Sequence, residues 1–299
     1  MDYFRELTKL GFLVEENAVN IVKNLNEEEF KKLVDNLRKE KTFILTDSLI
    51  KNILTEDIRI IKIFEPIKTL SVQDYVKILN ERYRSLQDIL IKKLELNNVV
   101  SINKCGSGSV SVIGLVKTKE EKNEDYIVLL EDSTGEIKTI VPKNLGERLY
   151  LDDVIAFSGK INNKILFVER LLYPDVPLRP VNYSKESIKV AFLSNENDCD
   201  AHYCIYKNKV KDKIKNKTYN VTNPSIITIN NIVILIVHGF DPLDILKKRY
   251  VNLENTDFII EPIPDILFTD KDVNTNYKGI SIVSKNKIID LKTREVSNI

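Results

Sequence analysis

"YIVLLEDSTGEIKTIV", residues 126–141, sets two runs rich in β-branched and aromatic residues on either side of a polar tetrad. Such runs favour a pleated, half-buried surface, so each reads as a strand. The tetrad Asp132-Ser133-Thr134-Gly135 reads as the turn between them, with Gly135 free to take a positive φ. A hairpin of this length cannot stand alone in water and needs further strands around it.

Those strands lie on both sides. With Tyr126–Glu131 and Ile137–Val141, the sequence predicts Ser109–Val116, Val154–Ile161 and Lys164–Leu171. The last two sit in "VIAFSGKINNKILFVERL" (154–171), where Asn162-Asn163 makes a second hairpin. Five short strands with tight turns predict a small closed barrel, most simply an OB-fold. Such barrels either stack single-stranded nucleic acid on aromatic platforms in a basic groove or dock proteins. Tyr126, Phe157 and Phe167 are the aromatic candidates. Alternation assigns several of these positions to the core, and Glu131, Asp132, Glu136, Asp152 and Asp153 make the surround acidic, which favours protein docking.

Upstream, residues 1–66 read as a small helical domain. Phe4, Leu7, Leu10 and Phe12 form one apolar stripe, and Ala18, Ile21, Val22 and Leu25 another. Asn26 with Glu29 forms a capping box ahead of Phe30, Leu33, Val34 and Leu37. Thr46 or Asp47 caps a fourth helix through Leu49, Ile50, Ile53 and Leu54. Residues 67–84 read as a partly helical linker. The barrel domain spans 85–178, led by a helix carrying Leu86, Ile89, Leu90 and Leu94. Its end, Tyr173-Pro174-Asp175-Val176-Pro177, is stiffened by proline and reads either as an interdomain linker or as a clamp between domains. Beyond it, 179–299 reads as a sheet domain with strands Ile188–Leu193, Ser225–Ile229, Ile232–Val237, Asp265–Phe268, Gly279–Val283 and Lys287–Leu291. One helix, Pro242–Arg249, and a turn at Asn230-Asn231 complete it.

Composition excludes several classes. A net charge of +1 on 299 residues provides no global attraction to nucleic acid or membrane. No apolar run reaches the roughly 18 residues of a membrane helix, and MDYFRELTKL lacks a signal-peptide pattern, so a soluble, cytoplasmic protein is expected. Cys105, Cys199 and Cys204 make no disulfide framework, and C-x-x-H-x-C is not a usual structural-zinc spacing; reduced thiols are expected.

Six pieces in order, "FILTD" (43–47), "VIGLV" (112–116), "EDSTGEIKTIVPK" (131–143), "YPDVP" (173–177), "LIVHG" (235–239) and "IPD" (263–265), resemble the small subunit of archaeal family D DNA polymerase, also called polymerase II. The resemblance implies a multidomain α+β chain: a helical N-terminal domain, an OB-fold, then a calcineurin-like phosphodiesterase sheet domain. In active members this last domain resembles a manganese-dependent 3′→5′ exonuclease, whose two metals, roughly 4 Å apart, need bridging carboxylates and several imidazoles.

Carried over residue by residue, the implied ligands are degenerate. The first motif, D-x-H, falls on Asn195-Glu196-Asn197, within the strand end "VAFLSNENDCDAHYC" (190–204). The last, G-H-x-H, falls on Asp270-Lys271-Asp272-Val273, while His238-Gly239 alone is retained. The intervening motifs have no counterpart in 205–224. No metal, cofactor or catalytic residue is therefore expected. The acids Glu196, Asp198, Asp200, Asp270 and Asp272 leave open a rebuilt metal site. Lys207, Lys209, Lys211, Lys213, Lys215 and Lys217 recur at every second residue; on one strand they would share a face, either as a solvated edge or as contacts to DNA phosphates. The resemblance implies an accessory subunit whose partners are the large catalytic subunit and DNA within the holoenzyme, with no membrane. A residual nuclease and a single-stranded-DNA-binding OB protein stay as alternatives.

Overall fold

The computed structural model describes residues 3–40, 43–47, 49–50, 58–65, 71–93, 96, 98–195, 199–253 and 256–299. They form two compact units, Met1–Arg59 and Ile60–Ile299.

In the first unit, helices Tyr3–Lys9, Glu16–Lys23 and Glu27–Glu40 pack with a parallel pair of short strands, β1 (Leu13–Val14) and β2 (Ile44–Leu45). Asn26 and Glu29 form the expected capping box, each side chain accepting the other's backbone N–H at 2.9 Å. Thr46 Oγ1 accepts from Leu49 N–H at 3.1 Å and so caps the next helix. Leu7, Ala18, Val22, Leu33, Leu37, Leu45 and Ile50 are fully buried together. Leu10, expected in this core, is instead exposed, because the helix ends at Lys9 and its stripe with it. Ile53 and Leu54 lie outside the described residues.

The division falls within β3 (Ile58–Ile63), and the second unit continues with the 20-residue helix Val72–Ile91. That helix occupies most of the expected linker over 67–84. Ser71 and Asp74 form its capping box, and no Gly or Pro interrupts it before Ile91. Its buried face, Tyr83, Leu86 and Leu90, packs on Ile113, Val154 and Ala156 of the barrel. Leu94 lies outside the described residues.

The barrel strands are β4 (Gly108–Lys122), β5 (Asp125–Asp132), β6 (Gly135–Pro142), β7 (Val154–Asn162) and β8 (Ile165–Leu172). They close in the order β4-β5-β6-β8-β7, the strand order of an OB-fold. Two turn readings are corrected. Gly135 does not take a positive φ; the Asp132 carboxylate makes the turn instead, accepting from the N–H groups of Thr134 and Gly135 at 2.7 and 3.0 Å. The second loop is Asn163-Lys164, with φ of 49° and 62°, one residue later than expected. Glycine is required at 159, where a Cβ would stand 1.9 Å from the Phe167 carbonyl oxygen.

Two six-stranded sheets make up the rest. The first runs β12 (Lys217–Asn220), β11 (Lys209–Asp212), β10 (Tyr203–Tyr206), β9 (Lys189–Leu193), β20 (Lys287–Asp290), β21 (Val296–Asn298). The second runs β18 (Thr275–Tyr277), β19 (Ile280–Ser284), β17 (Ile266–Thr269), β14 (Ile232–Val237), β13 (Ser225–Ile229), β3. The Asn230-Asn231 turn between β13 and β14 is as expected, both residues at positive φ. Phe192 of β9 meets Phe268 of β17 at 5.1 Å between ring centroids, so the sheets share a core. A hairpin, β15 (Tyr250–Leu253) with β16 (Thr256–Ile259), follows helix Pro242–Lys248. Contrary to expectation, Cys199 and Cys204 are disulfide-bonded: the turn into β10 brings their Cα atoms to 6.7 Å, within bridging reach.

Barrel and sheets meet at a buried acid. Asp153, fully buried at the start of β7, accepts from Tyr250 Oη at 2.7 Å and from Tyr150 N–H at 2.8 Å. Lys248 Nζ stands 3.1 Å from it and 3.1 Å from Asp244. Burial raises the Asp153 carboxyl above its ordinary range, and Lys248 with the hydrogen bonds pulls against that rise. Removing one member of such a pair strands the other in a low dielectric. Asp153→Ala should therefore lower unfolding free energy by about 3 kcal/mol in urea denaturation, the low end for buried pairs because Asp244 still holds Lys248.

Candidate functional site

Strand ends place chemistry where side chains can project from a sheet. β9, β14 and β17 converge at one end of the two sheets. The His238 ring lies against Phe192, 5.2 Å between centroids and 10° between planes. Its backbone is held from both sides by one amide: Asn223 Oδ1 accepts from His238 N–H at 2.8 Å, and Asn223 Nδ2 donates to His238 O at 3.2 Å. Gly239, at φ +87°, turns the chain so that its N–H reaches Asp270 Oδ1 at 2.9 Å, joining the β14 and β17 loops. His238 and Asp270 are thereby set on neighbouring loops.

Only some of the other motif positions are among the described residues. Asn195 is exposed, and Asn197, Glu196 and Asp198 lie outside the described residues. Lys271 is exposed, its N–H bonded to Thr269 Oγ1, and Val273 is half-buried against the apolar core around Leu235 and Leu267. His238 Nδ1 is buried without a hydrogen-bond partner. Burial lowers the imidazole pKa, Lys285 lowers it further, and Asp270 opposes both. Burial raises the Asp270 carboxyl, but the Gly239 N–H, His238 and Lys285 outweigh it and hold the group below its ordinary value. Among the described residues no three His, Cys, Asp or Glu side chains form a metal-holding group.

The lysine series does not share one face, because two turns interrupt it. Lys207 sits in the turn between β10 and β11 at φ 47°. Lys209 and Lys211 project from one face of β11, while Val210 and Asp212 are buried on the other. Asp212 Oδ1 builds the second turn by accepting from the N–H groups of Ile214 and Lys215 at 2.9 and 3.0 Å. Lys213 Nζ donates to Cys199 O at 2.7 Å. Lys217 pairs across the ladder with Asp212 and so stands on its face, opposite to Lys209. β12 is the edge of its sheet.

The proline-rich segment forms a bridge. Tyr173 packs against the barrel core, and Pro174 and Val176 are buried, Val176 among Ile226, Leu235 and Leu246. Asp175 N–H donates to Lys247 O at 2.7 Å; its carboxylate accepts from Tyr277 Oη at 3.1 Å and Lys278 Nζ at 2.6 Å. Pro177 leaves the contact and is exposed. The segment thus touches both the barrel core and the sheet core. Sequence reasoning missed its partners, Lys247, Tyr277 and Lys278, and the whole Asp153 junction, whose members are far apart in the chain.

Lys117, Lys143 and Lys160 of the barrel pair with acids. Lys117 stands 3.0 Å from Glu131 and also bonds Glu136, while Lys143 bonds Glu121. Tyr126 and Phe157 are core residues; Phe167 is 42% exposed, which leaves one of the three aromatic candidates available for stacking.

No protein-family profile matches the chain. It is similar, at 35% identity over 117 residues, to a DNA polymerase II small subunit of Pyrococcus furiosus, the match covering 36% of this chain and 19% of that one. It is 29% identical over 128 residues to a DNA polymerase II small subunit of Archaeoglobus fulgidus, covering 42% of this chain and 26% of that one. The chain therefore spans about a fifth to a quarter of the length of these curated relatives. A solved domain of replication protein A from Methanococcus maripaludis overlaps it with a TM-score of 0.24 at 19% identity, covering 24% of this chain and 91% of that one. The barrel assignment stands on its strand order. No helix among the described residues is long and apolar enough to cross a membrane.

The His238 environment has a signature in solution. Its depressed folded pKa means that the stabilising contribution is fully present above the unfolded value of about 6.5 and is lost as pH falls through the folded one. His238→Gln should flatten that acid limb, read as Tm against pH between about 7 and 5.

Proposed function

We propose that this chain is an accessory, non-catalytic small subunit of a replicative DNA polymerase. Barrel and sheet domain together would dock the large catalytic subunit, with DNA contacted inside the holoenzyme. The observation that carries this reading is the similarity to DNA polymerase II small subunits in several archaea. Two features of the fold support its finer points. Among the described residues, the strand-end site sets the His238 imidazole and the Asp270 carboxylate near the Lys285 ammonium, a charge set unsuited to a pair of divalent ions. Lys117, Lys143 and Lys160 of the barrel pair with glutamates, which weakens the positive surround that a single-strand-binding groove needs.

In this reading the third domain resembles a calcineurin-like phosphodiesterase reduced to a scaffold, and catalysis lies in the other chain. Co-expression with the family D large subunit should give one stoichiometric complex on size exclusion at micromolar concentration. That complex should show no manganese-dependent exonuclease activity attributable to His238. Separate elution overturns the subunit reading; nuclease activity lost in His238→Ala overturns its non-catalytic part.

A further inference from the structure

A second polar site lies away from these strand ends. A cleft of about 470 Å³ is lined by Arg179, Arg249, Asn182, Asn231, Glu261 and Asp265, among others. Three guanidinium groups gather around it, Arg294 standing behind Asn182, whose carbonyl oxygen accepts from Arg294 Nε at 3.0 Å.

Their charges are unevenly matched. Arg179 pairs with the buried Asp265 at 3.0 Å. Arg249 directs Nε and Nη2 at a single backbone carbonyl, Ile260 O, at 3.2 and 3.0 Å. Among the described residues neither Arg249 nor Arg294 forms an ion pair within 4.0 Å. Two guanidinium nitrogens, Arg179 Nε and Arg294 Nη1, are buried without a hydrogen-bond partner. Buried unsatisfied donors are rare and call for a missing acceptor. Burial, with Arg179 close by, holds both Arg249 and Arg294 below the ordinary arginine range, while Glu261 opposes this at Arg249. Arg249 also sits at a left-handed backbone, φ 61°, where glycine is the usual choice after a helix; keeping arginine there costs conformational energy.

We propose that this cleft is an oxyanion site that takes the carboxylate of an acidic segment on a protein partner. Planar guanidinium groups match a carboxylate in bidentate geometry. Two observations favour a peptide over a nucleic acid. Asp265 and Glu261 already offset much of the positive charge, which suits one monoanionic group and opposes a chain of phosphates. Leu178 and Tyr183, 84% and 55% exposed, flank Arg179 and Asn182 in the chain and offer apolar contact beside the charge.

The test needs no polymerase subunit. Arginine Nε–Hε signals of the full chain are followed by NMR while the acetylated dipeptide amide Leu-Asp is titrated at constant ionic strength. The Leu-Asn analogue and a thymidine oligonucleotide serve as the other arms. The expected result is a saturable shift of the Arg179 and Arg249 signals with Leu-Asp alone, weakened about tenfold in Arg249→Lys. Glu261→Gln, which removes an exposed competing carboxylate, should tighten binding. No saturable shift, an equal response to Leu-Asn, or a stronger response to the oligonucleotide overturns the proposal. If Arg249→Lys fails to fold, Glu261→Gln decides: unchanged affinity overturns it.

Discussion

A carboxylate with no water around it must find its compensation in the protein. Asp153 finds it across the boundary between barrel and sheets, in Tyr250 and Lys248, with the Tyr150 N–H completing its shell. Arg82, itself buried, donates to Asp152 O at 3.0 Å and lies 4.7 Å from the Tyr250 ring centre. The long helix is therefore drawn into the same junction. Apolar burial by Leu86, Leu90, Val154 and Ala156 supplies the cohesion there, whereas the charged groups set the orientation. Their geometry is satisfied in one arrangement of barrel against sheets.

The second fastening is the segment 173–177. Proline restricts its backbone before folding, so little entropy is lost when it crosses from the barrel to the sheet core. Val176 enters the apolar core while Asp175 holds Tyr277 and Lys278. Asp153 and this segment thus fasten barrel to sheets at two places. At the strand ends, His238 is stacked on Phe192 and pinned through its backbone, and Asp270 accepts the Gly239 N–H.

Local signals were legible and distant ones were not. The Asn26–Glu29 box, the five barrel strands and the Asn230-Asn231 turn each depend on residues within a few positions of one another. The Asp132 turn was misread because a side chain replaced the backbone freedom expected of Gly135. The six lysines do not share one face because turns at Lys207 and after Asp212 break their period of two. Asp153 gave no warning: an acid among acids in the sequence, it is defined by a tyrosine 97 positions away. The arginine cleft was equally silent, since Arg179, Arg249 and Arg294 share no motif.

The central claim is that barrel and sheets behave as one body, locked through Asp153. Hydrogen exchange with mass spectrometry in graded urea tests it most directly. Peptides from strands 108–172 and from strands 225–284 should lose protection at the same urea concentration and with the same slope. Loss of barrel protection while the sheets stay closed, or the reverse, would contradict it.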